Sequence, residues 1–512
     1  MPNFEFVNVG RPGDVKKEST RIRRHVMKDI GKARRKPKKR SQTTVEEGIV
    51  TLGEGSEAGS ARPLAFPIPR MDGHLSTMVY PTEMDEERLG LARFLFAEAR
   101  ATYIPFRFPW LSMGLSDPAA WHITMANAVL LRNMAPGSSR KPEFNSNVEA
   151  MKWYTLSLGS ISKRLADPSE KDSEGLVTAV AGFICHDKTA TGNFERSEVH
   201  FKGLKRLIEN KGGLEQLSSP LLRLIICWHD LSGASYRDTT PHFKLPSGSI
   251  TDIDTGNDTQ YLEHLVETWD RDVPALRDIK SAIRATAAIA SYINRHSSDP
   301  KFWTDEVTAA RLLGPALHEV LSLAGRRPLP DNPADPPNYP DAATITREAF
   351  RRAALLFLAS FKVKFGAGSF EIGRHLDAFW QLSHMTLVDW TSCAPELSLW
   401  AHVVVAVQEE ESGYRRAWHV RTIVGIMEAM VLTTSGQAFE VVRGIAWVDA
   451  LVEGRTHTLC EEIDGLVVGN MMQRYPSIPI DLGLEAYFEG FDDRQESGWN
   501  NIERNDPDSA LI

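Results

Sequence analysis

The chain has 512 residues, 42% of them hydrophobic and 25% charged, which is ordinary for a folded protein with room for two or three structural units. No run of about 18 apolar residues is present, so the sequence predicts no membrane-spanning helix. The formal charge of −8 conceals a strong asymmetry, because residues 16–40 carry 13 Lys and Arg against two acids. The residues after position 40 carry 45 basic and 63 acidic side chains, which predicts a basic arm joined to an acidic body.

The first 40 residues predict an arm rather than a targeting leader. They lack the apolar core of a secretory signal, and their acidic residues disfavour a mitochondrial presequence. Ser19 or Thr20 can cap a helix that runs to about Lys36, where Pro37 stops it. A narrow apolar stripe recurs along that helix at spacings of four, four and three, and consists of Ile22, Val26, Ile30 and Ala33.

Residues 32–40 are typical of a nuclear import signal, with a second basic cluster at 21–24. We expect the arm to bind an import receptor, and DNA contact through phosphates is a further expectation. No heptad follows the arm to dimerise it, so no reading of bases is predicted. The alternative to these binding roles is that the arm is simply a solvated charged tail. A helix lying on a membrane surface is disfavoured, because the apolar stripe lacks Trp, Phe and Leu. The candidate residues for DNA binding and import are Arg21, Arg23, Arg24, Lys28, Lys32, Arg34, Arg35, Lys36, Lys38, Lys39 and Arg40.

A linker and then a long helical region follow the arm. Residues 41–83 are predicted to be flexible, since 41–70 are rich in Gly, Ser, Glu and Pro. The remainder predicts an all-α multi-helix array or bundle in two halves, 84–326 and 343–480, before an acidic tail at 481–512. The proline-rich stretch 327–342 separates the halves. Predicted helices cover 84–100, 118–133, 146–166, 172–186, 194–211, 219–235, 257–269, 273–296, 302–325, 343–364, 371–385, 395–410, 412–433 and 437–470.

The helix predicted at 194–211 has several distinctive positions. Gly203 lies inside it, which predicts a close helix crossing, because a helical Gly costs about 1 kcal/mol relative to Ala. Gly212 and Gly213 end it, one of them free to adopt a left-handed cap. Its predicted apolar face is Val199, Gly203 or Leu204, Leu207 and Ile208. His200 is predicted to be a packing or capping residue rather than a ligand or base.

Further on, His229 and Asp230 are adjacent in a predicted helix. Adjacent helical side chains point about 100° apart, so a catalytic dyad is not predicted. The apolar stretch 353–359 predicts a buried helix. The four cysteines, Cys185, Cys227, Cys393 and Cys460, form no Cys-x₂-Cys pair and are interpreted as buried thiols in a reducing compartment rather than zinc ligands.

Signatures of catalysis are not found. The sequence lacks HExxH, G-x-S-x-G, a P-loop and a Rossmann glycine fingerprint. We therefore expect no catalytic residue, no metal site and no cofactor. An all-α enzyme remains the third alternative.

Two short motifs carry a resemblance to a known family. Residues 193–214, with Asn193, Phe194, His200 and the stop at Gly212, resemble the fungal-specific transcription factor domain, as does 228–241 with its Trp-His-Asp. The opening, with FxFVN at 4–8 and RRHVMK at 23–28, is similar to that of relatives in filamentous fungi. The resemblance implies an all-helical regulatory domain that follows a DNA-binding module. Many members carry a six-cysteine zinc module, but no cysteine precedes Cys185 here, so zinc-dependent DNA binding is not implied.

The resemblance and the arm together predict a nuclear protein of transcription regulation. The arm would supply import and DNA contact, and the helical body would bind other transcription proteins or a small effector. The alternative is a helical scaffold or corepressor that does not contact DNA. No membrane partner is expected.

Overall fold

The structure, a computed structural model, describes residues 75–98, 106–133, 144–171, 173–323, 341–367, 370–384, 389–451 and 453–474. The chain divides into two units, 1–62 and 63–512, and every described residue belongs to the second. Within the described part there are α-helices and short 3-10 and π turns but no strand, so the predicted all-α class is confirmed. None of the helices in these ranges is long and apolar enough to cross a membrane.

Sixteen α-helices make up the described part of the chain. The first eight are α1 Glu86–Arg93, α2 Arg107–Leu115, α3 Pro118–Arg132, α4 Val148–Leu165, α5 Glu174–Cys185, α6 Phe194–Asn210, α7 Pro220–Arg237 and α8 Gln260–Asp272. The other eight are α9 Lys280–His296, α10 Glu306–Ser322, α11 Ala342–Lys364, α12 Ile372–His384, α13 Pro395–Gln408, α14 Tyr414–Ala429, α15 Ser435–Ile445 and α16 Glu453–Arg474.

One hydrophobic core runs through these helices. Helix α3 packs on α4 and α5, and α5 packs on α6. Helix α10 packs against α7, α9 and α11, and α11 also contacts α12 and α13. The apolar stretch 353–359 lies at the centre of α11 and is buried, as the sequence predicts.

Polar side chains at the helix starts explain where several helices begin. The carboxylate of Asp117 accepts hydrogen bonds from the backbone N–H groups of Ala119 and Ala120, and Pro118 occupies the first turn, where a missing N–H costs nothing. Asn193 in the same way accepts from the N–H of Arg196 at the start of α6. Such caps satisfy donors that a helix cannot satisfy by itself.

Helix α10 contains a proline and nevertheless continues. Pro315 has no N–H to offer the carbonyl of Arg311 one turn earlier. The backbone N–H of Ile250 donates to that carbonyl at 3.0 Å. The loop before α8 thus replaces the lost hydrogen bond, and the helix persists to Ser322.

Some predicted boundaries are wrong. The stretch 437–470 is two helices, α15 and α16, because the chain turns extended at Ala446 and forms a 3-10 turn at Asp449–Leu451. Helix α2 was not predicted, since Pro109 and Gly114 interrupt its pattern. The start of 273–296 is a 3-10 helix, Pro274–Ile279.

The glycines of α6 behave differently from one another. Gly212 and Gly213 have φ of 97° and 113°, and the N–H of Gly213 donates to the carbonyl of Ile208, so the predicted C-terminal cap is confirmed. The close crossing predicted at Gly203 is wrong: a Cβ there would meet nothing within 4 Å. Val199, placed on the apolar face by the sequence, is 67% exposed. The rest of the predicted face, Leu204, Leu207 and Ile208, is buried as expected, and Phe201 is buried as well.

The cysteine prediction holds only in part. No disulfide joins the four cysteines, and Cys227 is buried, whereas the other three are partly exposed. Cys185 and Cys460 lie on α5 and α16, and Cys393 lies in the turn before α13.

Candidate functional site

The eleven basic residues predicted to contact DNA and an import receptor all lie outside the described residues. The body, in contrast, contains a network of buried charged side chains. It joins the turn after α5 to helices α6, α7, α11 and α12, and most of its members were not identified from the sequence.

The first part of the network surrounds Asp238 at the end of α7. Asp238 adopts a left-handed backbone conformation with φ of 56°, which Asp tolerates better than most residues. Its carboxylate accepts hydrogen bonds from Arg351 at 2.5 and 3.0 Å and from Arg352 at 2.5 Å. Glu348, one turn earlier on α11, accepts from both arginines as well. Two carboxylates therefore neutralise two buried guanidinium groups.

His375 of α12 completes this cluster as a neutral side chain. Because a guanidinium can only donate, Nδ1 of His375 must accept the 3.2 Å hydrogen bond from Arg352. The proton therefore resides on Nε2, which donates to the carbonyl oxygen of Ser235 at 3.0 Å. Burial, together with the positive charge of Arg352, lowers the pKa of His375 to about 4.

Lys362 and Glu371 form a second buried pair, between α11 and the start of α12. Nζ of Lys362 lies 2.5 Å from the carboxylate of Glu371, and both side chains are almost fully buried. The hydroxyl of Ser235 donates to the same carboxylate at 3.4 Å. Nζ also lies 5.6 Å from the ring centre of Trp228, within the range of a cation–π contact.

The turn after α5 brings three successive polar residues inside the protein. Helix α5 widens into a π-helical turn, His186–Thr191, and its residues His186, Asp187 and Lys188 are all buried. π-Helical turns are rare and are frequent at functional sites. The sequence signal was present, as three polar residues directly follow an apolar helix, but their burial depends on the wider turn.

Asp187 is the acidic centre of this turn. Arg196 of α6 donates from Nε to Asp187 Oδ1 at 2.6 Å, and its guanidinium lies over the rings of Phe144 and Tyr154. Burial raises the pKa of Asp187 to about 6, although Arg196 opposes the rise. The pKa of this carboxyl group therefore lies close to neutral pH.

His200, predicted to be a packing or capping residue, packs at this site. Its Nε2 lies 3.5 Å from both the Tyr154 hydroxyl and Asp187 Oδ2, and its ring lies against Phe183. Burial lowers the pKa of His200 to about 4. The neighbouring His186 is also neutral, since burial lowers its pKa to about 3, and its Nδ1 contacts the Asn127 side-chain oxygen at 2.7 Å.

His229 and Asp230 point to different places, as expected for adjacent helical residues. The carboxylate of Asp230 accepts from the backbone N–H groups of His242 and Phe243 at 2.7 and 2.8 Å. The carbonyl of His229 accepts from Nζ of Lys188 at 2.6 Å. Asp230 therefore fixes the chain after α7, and the backbone of His229 fixes Lys188 in the turn after α5. The two side chains do not form a dyad.

A separate pair of histidines is buried between α13 and α14. The Nδ1 atoms of His402 and His419 lie 2.9 Å apart, so one ring donates and the other accepts. Trp390 stacks on His402 at 5.3 Å, and neither Nε2 atom has a hydrogen-bond partner. Burial lowers the pKa of His402 to about 3 and that of His419 well below its ordinary value. Both rings are neutral.

These arrangements hold helices together through compensated charges. Within the ranges that the structure describes, no three His, Cys, Asp or Glu side chains are placed to hold a metal ion. A signal for the main cluster was present: Arg347, Glu348, Arg351 and Arg352 interrupt an otherwise apolar helix. Charges in a buried helix need partners, but the sequence does not show where those partners lie.

Comparison with known proteins places this body in a family. The model of the fungal specific transcription factor domain matches residues 94–385, which is more than half of the chain. Neither a search of curated proteins nor a search of solved structures found a match. The matched region contains the network around Asp238 and Asp187, and the resemblance expected from residues 193–214 is confirmed. The chain belongs to the fungal specific transcription factor domain family.

Proposed function

We propose that the protein is a nuclear transcription regulator, in which residues 16–40 supply nuclear import and electrostatic contact with DNA. The observation that carries the proposal is the family match over residues 94–385. It supports a role in transcription for the helical body, and a transcription protein works in the nucleus.

The charge of the arm supports the finer part of the proposal. Thirteen basic residues within 25 positions match the polyanionic backbone of DNA and the acidic groove of an import receptor. The body after position 40 has an excess of acidic residues, so DNA contact is assigned to the arm. Its phosphate contacts carry no sequence information, and target choice comes from a partner.

The test compares three forms of the full chain: unchanged, lacking residues 16–40, and lacking residues 41–65. The two deletions remove equal lengths, but the second removes only Arg62 among basic residues. Loss of nuclear accumulation in the first deletion alone supports import by the arm. Accumulation that survives this deletion contradicts it.

DNA contact is measured separately by retention of the purified chains on DNA at increasing salt. If the arm neutralises about six phosphates, affinity falls on the order of a thousand-fold between 50 and 200 mM salt, and deletion of 16–40 abolishes retention. If the chain lacking residues 16–40 is still retained, DNA contact is made by another part of the protein. No retention by the unchanged chain, together with nuclear accumulation, supports instead a scaffold or corepressor that does not contact DNA.

A further inference from the structure

Helix α4 has more exposed apolar side chains than any other helix in the described part of the chain. Of the eleven large hydrophobic side chains that are exposed in that part, four belong to α4. They are Val148, Leu156, Leu158 and Leu165, with exposed fractions of 70, 46, 40 and 48%. A helix that is apolar on both sides is ordinarily covered on both sides, so we expect a second partner for α4.

The inner face of α4 is already in use. Helix α4 packs on α3 and also contacts α5. Its buried side chains are Ala150, Trp153, Ser157 and Ile161. The hydroxyl of Ser157 donates to the carbonyl of Ala119 at 2.7 Å and fixes α4 against α3. The helix is therefore preformed, and pairing through its outer face does not carry the cost of ordering a backbone.

The outer face of α4 follows a heptad pattern. Apolar and small side chains recur along it at spacings of three, four, three, four and three, and these are Val148, Met151, Thr155, Leu158, Ser162 and Leu165. Thr155 and Ser162 are exposed like the larger residues, and Met151 is half-buried. Such a spacing forms the seam through which two helices pack at a small crossing angle. These six residues are the α4 seam. The heptad that is missing directly after the basic arm is thus present in the helical body.

The α4 seam is complementary to itself when two copies run antiparallel. Placing Val148 of one copy opposite Leu165 of the other aligns the two helices over their whole length, about 27 Å. Met151 then faces Ser162, and Leu158 faces Thr155, so a large side chain fills the space beside a small one. The hydroxyl of Thr155 already donates to the carbonyl of Met151 at 2.7 Å, so covering it breaks no hydrogen bond within the helix.

The charges beside the seam favour the antiparallel orientation. The seam itself contains no charged residue, and Lys152 and Lys163 lie along one edge. In a parallel pair each lysine would lie level with its own copy, and like charges across an interface weaken binding. In the antiparallel pair the two copies of Lys152 are about 14 Å apart along the helix axis, beyond the screening length of about 8 Å at physiological ionic strength.

We propose that two copies of the chain associate through the α4 seam as an antiparallel helix pair. A helix of 18 residues forms a smaller interface than the roughly 800 Å² per partner of standard complexes, so the association is weak, roughly micromolar. The pairing does not rest on the role proposed for the basic arm, and its failure would leave that role untouched. A dimer carries two basic arms, so DNA contact by the arms becomes bivalent.

The first test measures the molar mass of the purified full chain by sedimentation velocity, between low and high micromolar concentration. We expect the unchanged chain to shift from monomer to dimer. Leu158→Glu places a charge in the middle of the seam and should weaken association at least about tenfold. Leu156→Glu is the matched control and should dimerise like the unchanged chain, because Leu156 is similarly exposed on the same helix but lies outside the seam.

Two outcomes of this measurement overturn the proposal. The first is an unchanged chain that stays monomeric, which is the result expected if residues 1–74 or 475–512 of the same chain, or a different protein, cover α4 instead. The second is an equal effect of Leu158→Glu and Leu156→Glu, since the seam then has no special part in the association.

A second test determines the orientation without a disruptive substitution. Met151→Cys together with Ser162→Cys places thiols opposite each other in the antiparallel pair and should give a covalent dimer with a short thiol cross-linker. The two positions lie about 16 Å apart on one helix, too far to be joined within a single copy. Each single variant should give no more cross-linking than the unchanged chain, whose four cysteines set the background. A covalent dimer from either single variant, or none above background from the double variant, overturns the antiparallel pairing.

Discussion

Arg351 donates hydrogen bonds from both terminal guanidinium nitrogens to the carboxylate of Asp238, 113 residues earlier in the chain. The Arg351 side chain is fully buried, whereas Asp238 is partly exposed. This pair connects the end of α7 to the middle of α11 and lies within the region that the family match covers. The carboxylate of Asp238 and the guanidinium of Arg351 compensate each other's charge inside the protein.

Arg351→Met is expected to lower the free energy of unfolding by about 3–5 kcal/mol, because it leaves Asp238 and Glu348 short of a buried partner. The measurement is urea denaturation of the full chain. The control is Arg284→Met, which removes an exposed ion pair with Glu263 and should cost less than about 1 kcal/mol. If both variants lower the free energy of unfolding by a similar amount, the buried pair contributes no more to stability than the surface pair does.

The His402–His419 pair predicts a loss of stability in acid. Both rings are neutral in the folded protein because burial lowers the pKa of His402 to about 3 and lowers that of His419 as well. In the unfolded chain both take up protons below about pH 6.5, so stability falls with pH from that value downward. Between pH 7 and 5.5 the two histidines together should lower the free energy of unfolding by about 2 kcal/mol.

The double variant His402→Leu, His419→Leu should show a pH dependence of unfolding that is weaker by this amount. His457→Gln, at an exposed position, serves as the control and should leave the slope unchanged. An unchanged slope in the double variant contradicts the assignment of two neutral rings.

Asp187 predicts a pH dependence of the opposite sign. Burial raises the pKa of Asp187 to about 6, so the folded protein takes up a proton there at a higher pH than the unfolded chain does. From pH 7.5 to 5.5 the wild-type protein should gain about 1 kcal/mol relative to Asp187→Asn. Asp270→Asn is the control: hydrogen bonds from Lys280 and Arg277 lower the pKa of Asp270, so Asp270 is ionised in the folded and unfolded states throughout this pH range and its difference should not depend on pH. A difference for Asp187→Asn that is independent of pH rejects the raised pKa.

Two helical glycines should respond in opposite directions to alanine. A Cβ at Gly182 of α5 would lie 2.6 Å from Cγ2 of Ile123, so Gly182→Ala should destabilise the protein by about 1–3 kcal/mol. A Cβ at Gly203 meets nothing, so Gly203→Ala should stabilise it by about 1 kcal/mol through helix propensity. Denaturation of both variants under one set of conditions tests this, and a shared sign would disprove the placement of the close crossing at α3 and α5.

The sequence by itself determined most of the helices, several of their ends and the family. Local rules suffice for these features: an amphipathic period marks α9, Asn193 caps α6, and Gly212 and Gly213 end it. The motif at 193–214 is short enough to be recognised without tertiary information.

Only the tertiary structure decided which charges meet and which glycine lies at a crossing. Helical periodicity places Arg351 on α11, but it contains no information about Asp238, because the two are distant in the chain and adjacent only after α7 and α11 pack. For the same reason the crossing belongs to Gly182 rather than Gly203, and Lys188 is buried only because the turn after α5 widens. Pairing across helices depends on packing, and packing is a property of the whole core rather than of any one segment.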